Sequence, residues 1–145
     1  MKGGLLVVLA VAVSFSGCQA IRNFSQERYT RNNEIGRAWL SDQILPPDIN
    51  LSGSWRSRDW GDTFFSQTDR LVRGNLGNYP VEGMVSGSKA YLLASTGGWF
   101  RYSVILEMPG PNVLIGYYSR SIPYRSSNRR NLRLDRVGPP LAGPG

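Results

Sequence analysis

Few residues in this 145-residue chain are able to carry out chemistry. There is no histidine, so no imidazole is available as a general base or a zinc ligand. The only cysteine is Cys18, and neither a glycine-rich phosphate loop with lysine nor a nucleophile elbow is present. Asp59 and Asp62 flank Trp60-Gly61 with a spacing that suits a paired-carboxylate site, but aspartate beside glycine is ordinary turn chemistry. The sequence therefore predicts no catalytic residue, no metal and no cofactor, and it favours binding over catalysis.

A binding site is predicted where aromatic and basic residues follow a turn. Trp99 comes directly after Thr96-Gly97-Gly98, and Phe100, Arg101 and Tyr102 follow it. A tryptophan at a rim can contact a ligand with its ring while its indole N–H stays hydrated. Arg101 is close enough along the chain to pair with a carboxylate or phosphate of the same ligand. The alternative is that Trp99 and Arg101 form only a surface cation–π pair.

The charge of the chain indicates an anionic partner. The formal net charge is +7, and of the 17 basic residues only Lys2 and Lys89 are lysines. Arginine is less strongly hydrated than lysine and binds phosphate or carboxylate through two parallel hydrogen bonds. Lipid head groups, polysaccharide or an acidic protein face would suit such a surface, although general solubility also explains it.

The amino-terminal stretch has the composition of an export signal. Lys2 precedes an apolar run at residues 5–13, and the small residues Ser16-Gly17 stand directly before Cys18. The apolar run is shorter than the roughly 20 residues that cross a bilayer. Residues 1–18 resemble a bacterial lipoprotein signal peptide with its lipobox, except that Phe15 stands where that family prefers leucine. An ordinary secretory signal with a chance cysteine is the alternative.

The lipoprotein resemblance implies a location. Residues 1–17 would be removed, Cys18 would carry the acyl groups (palmitate among them), and the protein would be anchored to a membrane of the cell envelope. Gln19 follows the cysteine, which by the family's sorting pattern implies the outer membrane, facing the periplasm, if the host has two membranes. Nucleic acid is not an expected partner in that compartment.

Residues 18–50 are predicted to link the anchor to a folded body. Ser25 is a suitable N-cap for a helix over residues 26–43, for which Phe24, Ile35, Trp39 and Leu40 provide an apolar stripe. Asn32-Asn33 and Gly36 weaken this helix, and Pro46-Pro47 ends it. The segment is interpreted as a spacer from the membrane or, alternatively, as a helix that lies on the membrane or caps the body.

Residues 51–137 are predicted to form an all-β domain. Apolar and polar residues alternate, and Gly, Asn, Asp and Ser interrupt them every eight to twelve residues. This spacing predicts about eight short strands in an antiparallel up-and-down barrel, because hairpin-length links join consecutive strands and closure removes free sheet edges. In the longest strand, residues 99–108, one face would carry Phe100, Tyr102, Val104, Leu106 and Met108. The Pro/Gly-rich residues 138–145 are predicted to be a disordered tail.

The start and end of this domain resemble the lipocalins and related calycin barrels, which include the avidin-like proteins. Gly53-Ser54-Trp55 is similar to their Gly-x-Trp opening, and residues 65–74, 81–87 and 132–137 are similar to small bacterial lipocalin-like barrels. The resemblance implies that Arg136 covers Trp55 in a cation–π contact. No ligand residues of that group map onto this chain.

The sequence does not decide whether side chains fill the barrel interior or line a pocket. The aromatic residues expected inward are Trp55, Phe64, Tyr79, Phe100, Tyr102 and Tyr117. They would fill the interior of an eight-stranded barrel, or they would line a pocket in the space left by Gly74, Gly83, Ala90 and Ala94. Residues 91–94 and 113–118 are apolar on both faces, which predicts an outward apolar interface.

Two functions follow. In the first, the barrel of a membrane-anchored lipoprotein binds a small apolar or anionic ligand of the envelope. In the second, a filled barrel docks on a partner protein as an assembly accessory or an inhibitor. An empty interior would favour the first, and a filled interior with an outward apolar patch would favour the second.

Overall fold

The computed structural model describes residues 25–138, so Cys18 and the tail from residue 139 lie outside the described part. The chain divides into two compact units after Arg31. In the first unit, the described residues 25–31 are helical. The second unit begins at Asn32 and contains the barrel, and the contacts below belong to it.

Eight antiparallel strands, each paired with the next in sequence, close into a barrel. They are β1 Gly53–Ser57, β2 Gly61–Thr68, β3 Leu71–Leu76, β4 Tyr79–Ser86, β5 Lys89–Thr96, β6 Trp99–Gly110, β7 Val113–Ser119 and β8 Arg130–Arg136. A helix, α1, covers residues 25–41, and a short 3-10 helix, Ser126–Asn128, lies between β7 and β8. The predicted all-β up-and-down barrel is confirmed.

Large side chains fill the barrel interior where neighbouring strands carry glycine. Phe65, fully buried, pairs with Gly53 on one side and Gly74 on the other. Leu92 pairs with Gly83, and a Cβ atom at Gly83 would lie 2.5 Å from Leu92 Cδ2. The room beside this glycine is therefore already taken by a side chain of the next strand.

The sequence left open whether the barrel interior is filled or contains a pocket, and the packing favours a filled interior. The buried apolar cluster inside the barrel includes Trp55, Phe65, Leu76, Leu92, Leu106, Leu114 and Leu134. Ala90 and Ala94 are fully buried members of the same cluster. Close-packed side chains of this kind occupy the interior beside these alanines, so the interior is a core.

One end of the barrel is closed by the segment that leads into β1. The buried Gln67 amide donates hydrogen bonds from Nε2 to the carbonyl oxygens of Ile49 (2.8 Å) and Asp69 (2.9 Å). Its Oε1 accepts a hydrogen bond from the Leu51 backbone N–H at 2.8 Å. Leu51 is fully buried, and Ile49 packs against the core. A single glutamine side chain therefore fixes this segment across the barrel end.

Trp55 and Arg136 meet at the same end. Trp55 is buried and donates its indole N–H to the Leu51 carbonyl at 2.9 Å. The guanidinium carbon of Arg136 lies 4.2 Å from the Trp55 ring centroid, which is the contact that the calycin resemblance implied. Arg136 also donates to the carbonyl oxygens of Pro111 (2.8 Å) and Ser52 (3.0 Å). Burial lowers the pKa of Arg136.

From Asn32 onwards, α1 packs on the outer face of β5 and β6. Leu40 forms a buried cluster with Leu93 and Phe100, and Trp39 contacts Tyr91 edge-to-face at a centroid distance of 5.6 Å. The outward apolar face predicted for residues 91–94 is therefore covered by the chain's own helix. The folded body is longer than the barrel, because it includes this part of α1.

The residues that weakened the helix prediction are the ones that hold α1 on the barrel. The Asn33 side chain donates to the Gly98 carbonyl at 2.8 Å and accepts from the Phe100 N–H at 3.0 Å. A Cβ atom at Gly36 would lie 2.9 Å from side-chain carbons of both Leu93 and Phe100, so glycine allows the helix to approach closely. Their helix propensity is poor, but their packing role explains their presence.

Candidate functional site

The structure separates the residues predicted to bind a ligand. Ala94 pairs with Tyr102 whereas Ser95 pairs with Phe100, so Arg101 is an extra residue, a β-bulge, in β6. The bulge reverses the alternation of inward and outward side chains in β6, so Phe100 points outward and lies under α1. The guanidinium carbon of Arg37 lies 5.3 Å from the Phe100 ring centroid. The prediction that Phe100 shares a face with Tyr102 is therefore wrong.

Two other aromatic residues predicted inward also lie on the outer surface. Phe64 is 42% exposed, and its neighbour Phe65 occupies the interior instead. Tyr117 is half-buried and lines a groove on the outside of the barrel. Trp99 is half-buried and Arg101 is exposed at the start of β6. Trp99, Phe100, Arg101 and Tyr102 therefore do not form one converging site.

Tyr102 belongs instead to an aromatic cluster at the barrel end opposite Trp55, which we call the mouth cluster and which consists of Trp60, Tyr79, Tyr102 and Tyr118. Trp60 makes edge-to-face contacts with Tyr79 (5.3 Å), Tyr102 (5.1 Å) and Tyr118 (5.1 Å) between ring centroids. Such edge-to-face packing of aromatic rings is favourable beyond the area it buries. These rings close the second end of the barrel.

The electrostatics of the mouth cluster involve two arginines. The charge of Tyr102 and its hydrogen bond raise the pKa of Tyr79 above the ordinary value of 10.0, with a further contribution from burial. The positive charges of Arg101 and Arg120 act in the opposite direction on this pKa. Arg101 lies near the start of β6 and Arg120 directly follows β7, so this end of the barrel carries two arginines.

A concavity lies on the outside of the barrel, and we call it the outer groove. It has a volume of about 780 Å³ and crosses the outer face of β6, β7 and β8 as far as the turn after β1. Its apolar floor contains Ile105, Ile115 and Tyr117, and Ile115 is 40% exposed. It is also lined by the last residue of β1, Ser57, and by Arg58 and Asp59 of the following turn, and the residues of β8 that line it are Asn131, Leu132 and Arg133.

One wall of the outer groove is formed by the loop between β7 and β8. Arg129 lies with its guanidinium carbon 4.1 Å from the Tyr117 ring centroid, and Tyr124 lines the same wall. The buried Ser103 hydroxyl donates to the Ser121 carbonyl at 2.7 Å, and Asn128 Nδ2 donates to the Ser121 hydroxyl at 2.6 Å. These hydrogen bonds hold the loop against the barrel, so the groove has a fixed wall.

The outer groove is basic. Arg58, Lys89, Arg129 and Arg133 line it together with only two carboxylates, Asp59 and Glu107. Glu107 pairs with Lys89 at 3.6 Å, and Arg133 pairs with Asp135 at 3.1 Å. No acidic residue occurs in the sequence between Glu107 and Asp135, a stretch that contains five arginines. An acidic ligand would therefore meet an excess of positive charge.

Comparison with known proteins adds no relative. No protein-family model matches the chain, and no curated protein and no solved structure matches it. Between residues 25 and 138, no helix has both the length and the apolar character needed to cross a membrane. In the same part of the chain, no three acidic or cysteine side chains are grouped so as to hold a metal ion.

Sequence reasoning missed both the mouth cluster and the outer groove. The sequence around Trp60 predicts a turn, and the residues next to Trp60 in the sequence do not indicate that its ring contacts Tyr118. The groove combines residues from the turn after β1 with residues of β8, more than 70 positions later in the sequence. The one available signal was that residues 113–118 are apolar on both faces, which predicted an outward apolar interface without saying which face is outward.

Proposed function

We propose that this chain is a lipid-anchored protein of the bacterial cell envelope whose filled barrel docks on a partner protein through the outer groove. The observation that carries this proposal is the filled interior beside an apolar, basic concavity on the outside. A barrel that stores a small molecule needs internal space, whereas a docking protein needs an exposed apolar surface with a polar rim. The role is binding, with no catalytic step.

The lipid anchor in this proposal is supported by the amino-terminal sequence. Cys18 follows Ser16-Gly17 and the apolar run at residues 5–13, as in the lipoproteins that this stretch resembles. Mass spectrometry of the mature protein should find an acylated Cys18 as the first residue, and Cys18→Ala should release the protein from the membrane fraction or leave it unprocessed. An unmodified amino terminus at another residue would disprove the anchor.

A photo-crosslinking experiment tests docking. Tyr117, on the groove floor, is replaced by p-azidophenylalanine in the full chain and irradiated in intact cells. Phe64 is the matched control, because it is also an outward aromatic residue but lies on β2, away from the groove. A discrete crosslinked protein from position 117 and none from position 64 is expected. Equal crosslinking from both positions, or no crosslinking from either, would contradict the docking function.

The mouth cluster supports a second function, binding of a small anionic ligand at the barrel end. Arg101 near the start of β6 and Arg120 directly after β7 stand at this end of the barrel, and the Trp60 ring is in contact with three tyrosines. A carboxylate or phosphate ligand there would change Trp60 fluorescence. Extraction of the protein purified from its native host, followed by mass spectrometry, tests this function: a copurifying anionic molecule that is lost in Tyr102→Ala would favour it over docking.

A further inference from the structure

The barrel is closed by a short seam. β1 and β8 pair at only two positions, Trp55 with Arg136 and Arg56 with Asp135. In contrast, β7 and β8 pair at six positions, from Val113 with Asp135 to Tyr118 with Arg130. Residues 130–134 of β8 therefore lie beyond the ladder that joins β8 to β1. The outer groove lies beside this part of β8.

β1 ends at the turn of its hairpin with β2, where Ser57 pairs with Gly61. After Ser57 the chain turns, and the Trp60 N–H donates to the Ser57 hydroxyl at 3.3 Å. The turn places the Trp60 ring among the tyrosines of the mouth cluster. Because residues 58–60 form this turn, Arg58 and Asp59 do not continue as a strand beside β8 and instead line the groove.

The unpaired edge of β8 presents backbone groups toward the outer groove. The Arg136 N–H donates to Asn112, on the β7 side, whereas the Val137 N–H donates to Ser54, on the β1 side, each at 2.8 Å. The N–H and C=O groups of successive residues in a strand point to opposite sides. Asn131 and Arg133 are an even number of residues from Val137, so their N–H and C=O groups point to the same side as those of Val137. In the described part of the chain, the β1–β8 ladder does not reach these two residues.

We propose that the outer groove binds an extended acidic peptide segment of the partner, which adds to the free edge of β8 as an antiparallel strand. This inference rests on the proposed docking function and adds the way in which the partner binds. Residues 130–134 provide about 17 Å of edge at roughly 3.4 Å per residue, enough for a five-residue strand. Strand addition of this kind draws affinity from backbone hydrogen bonds and specificity from alternate side chains.

The side chains that flank the edge define the sequence pattern of the peptide. Arg133 points outward and Leu132 points into the core, as their exposed and buried states show. A peptide residue that exchanges backbone hydrogen bonds with Arg133 carries its own side chain on the same outer face, near Arg133 and Arg58. Acidic side chains suit these positions, and small apolar side chains such as valine suit the alternate positions, which lie on the same face as Leu132. The expected pattern is therefore an acidic residue at every second position.

The test uses three seven-residue peptides in which glutamate alternates with valine, together with the full chain purified in detergent. The first peptide is unmodified, the second is N-methylated on the glutamate amides, and the third is N-methylated on the valine amides. In the proposed register the glutamate amides face β8 and the valine amides face away. The unmodified and valine-methylated peptides should bind alike, and the glutamate-methylated peptide should bind at least about tenfold more weakly because it loses backbone hydrogen bonds.

Hydrogen exchange locates the binding site. The unmodified peptide should slow exchange of the Asn131 and Arg133 amides and leave those of β3 and β4 unchanged. A peptide of alternating lysine and valine should not bind, and Arg133→Gln should weaken binding of the acidic peptide while circular dichroism stays unchanged. Absence of binding, equal binding of the two methylated peptides, or protection elsewhere than at β8 would overturn strand addition.

The two proposals fail in different ways. If position 117 crosslinks a partner in cells but the methylated peptides bind equally, docking stands and strand addition is wrong. If the acidic peptide protects Asn131 and Arg133 but position 117 captures nothing in cells, the edge binds peptides and the docking function is wrong.

Discussion

The attachment of α1 to the barrel can be tested at one side chain. Asn33, which is 8% exposed, bridges the Gly98 carbonyl and the Phe100 N–H with two hydrogen bonds. Asn33→Ala removes both bonds and leaves the buried Phe100 N–H without its acceptor. Each hydrogen bond contributes about 1 kcal/mol net, and an unsatisfied buried group costs about 1–3 kcal/mol. We therefore expect the free energy of unfolding to fall by about 2–4 kcal/mol.

Two variants serve as controls. Asn33→Asp keeps an oxygen acceptor for the Phe100 N–H but, when ionised, places a buried carboxylate oxygen against the Gly98 carbonyl, so at neutral pH it should cost at least as much as Asn33→Ala. Ile35→Ala changes an exposed residue two positions away on the same helix and should change stability by less than about 0.5 kcal/mol.

Urea unfolding of the full chain, followed by circular dichroism, measures these differences. Hydrogen exchange at the Phe100 amide provides a local measurement, since loss of its acceptor should speed exchange there more than in β2 or β3. If Asn33→Ala and Ile35→Ala had the same stability, the amide bridge would not hold α1 on the barrel, and the reasoning would be refuted.

Three further predictions concern the barrel itself. Gly116→Ala should destabilise the protein by about 3 kcal/mol or more in urea unfolding, since its Cβ would collide with the Ile105 carbonyl oxygen, whereas Gly110→Ala, which has room for a methyl group, should be nearly neutral. Trp55→Ala should cost about 3–5 kcal/mol because the ring is fully buried, and a loss below 1 kcal/mol would contradict its place in the core. Because the pKa of Tyr79 is raised in the folded state, its contribution to stability should be fully present below pH 10 and decline as pH rises through the folded-state pKa. Tyr79→Phe should reduce this alkaline loss in unfolding experiments between pH 9 and 11.5, and an unchanged pH profile would argue against the Tyr79–Tyr102 interaction.

The strands could be predicted from the sequence because the signal is local. Alternation and turn residues identify each strand within about ten positions, and all eight are found in the structure. Which side chains of a strand point inward was harder to predict where this depends on the residues of the flanking strands. Phe64 and Phe65 are adjacent, and Phe65 is inward because it pairs with Gly53 and Gly74 on the flanking strands. That choice is not encoded within β2 alone.

The candidate site was harder to predict for the same reason. One extra residue, Arg101, turns Phe100 to the outer face, and a bulge has no unambiguous local pattern. Asn33 and Gly36 reduce helix propensity locally, while their partners Gly98 and Phe100 lie more than 60 positions away. The outer groove combines the turn after β1 with β7 and β8, which lie far from that turn in the sequence and meet it only when the barrel closes.

The short seam between β1 and β8 also has a consequence for the order of assembly. The Arg136 side chain reaches the Ser52 carbonyl across 84 positions of sequence, so the contact joins the first and last strands of the barrel. During synthesis, β1 through β7 emerge before β8 does, and bringing distant ends of the chain together carries the largest loop-closure entropy. Until residues 130–136 arrive, the edges of β1 and β7 remain open to pairing with other chains. A truncation that removes β8 should therefore yield aggregates rather than a smaller folded barrel.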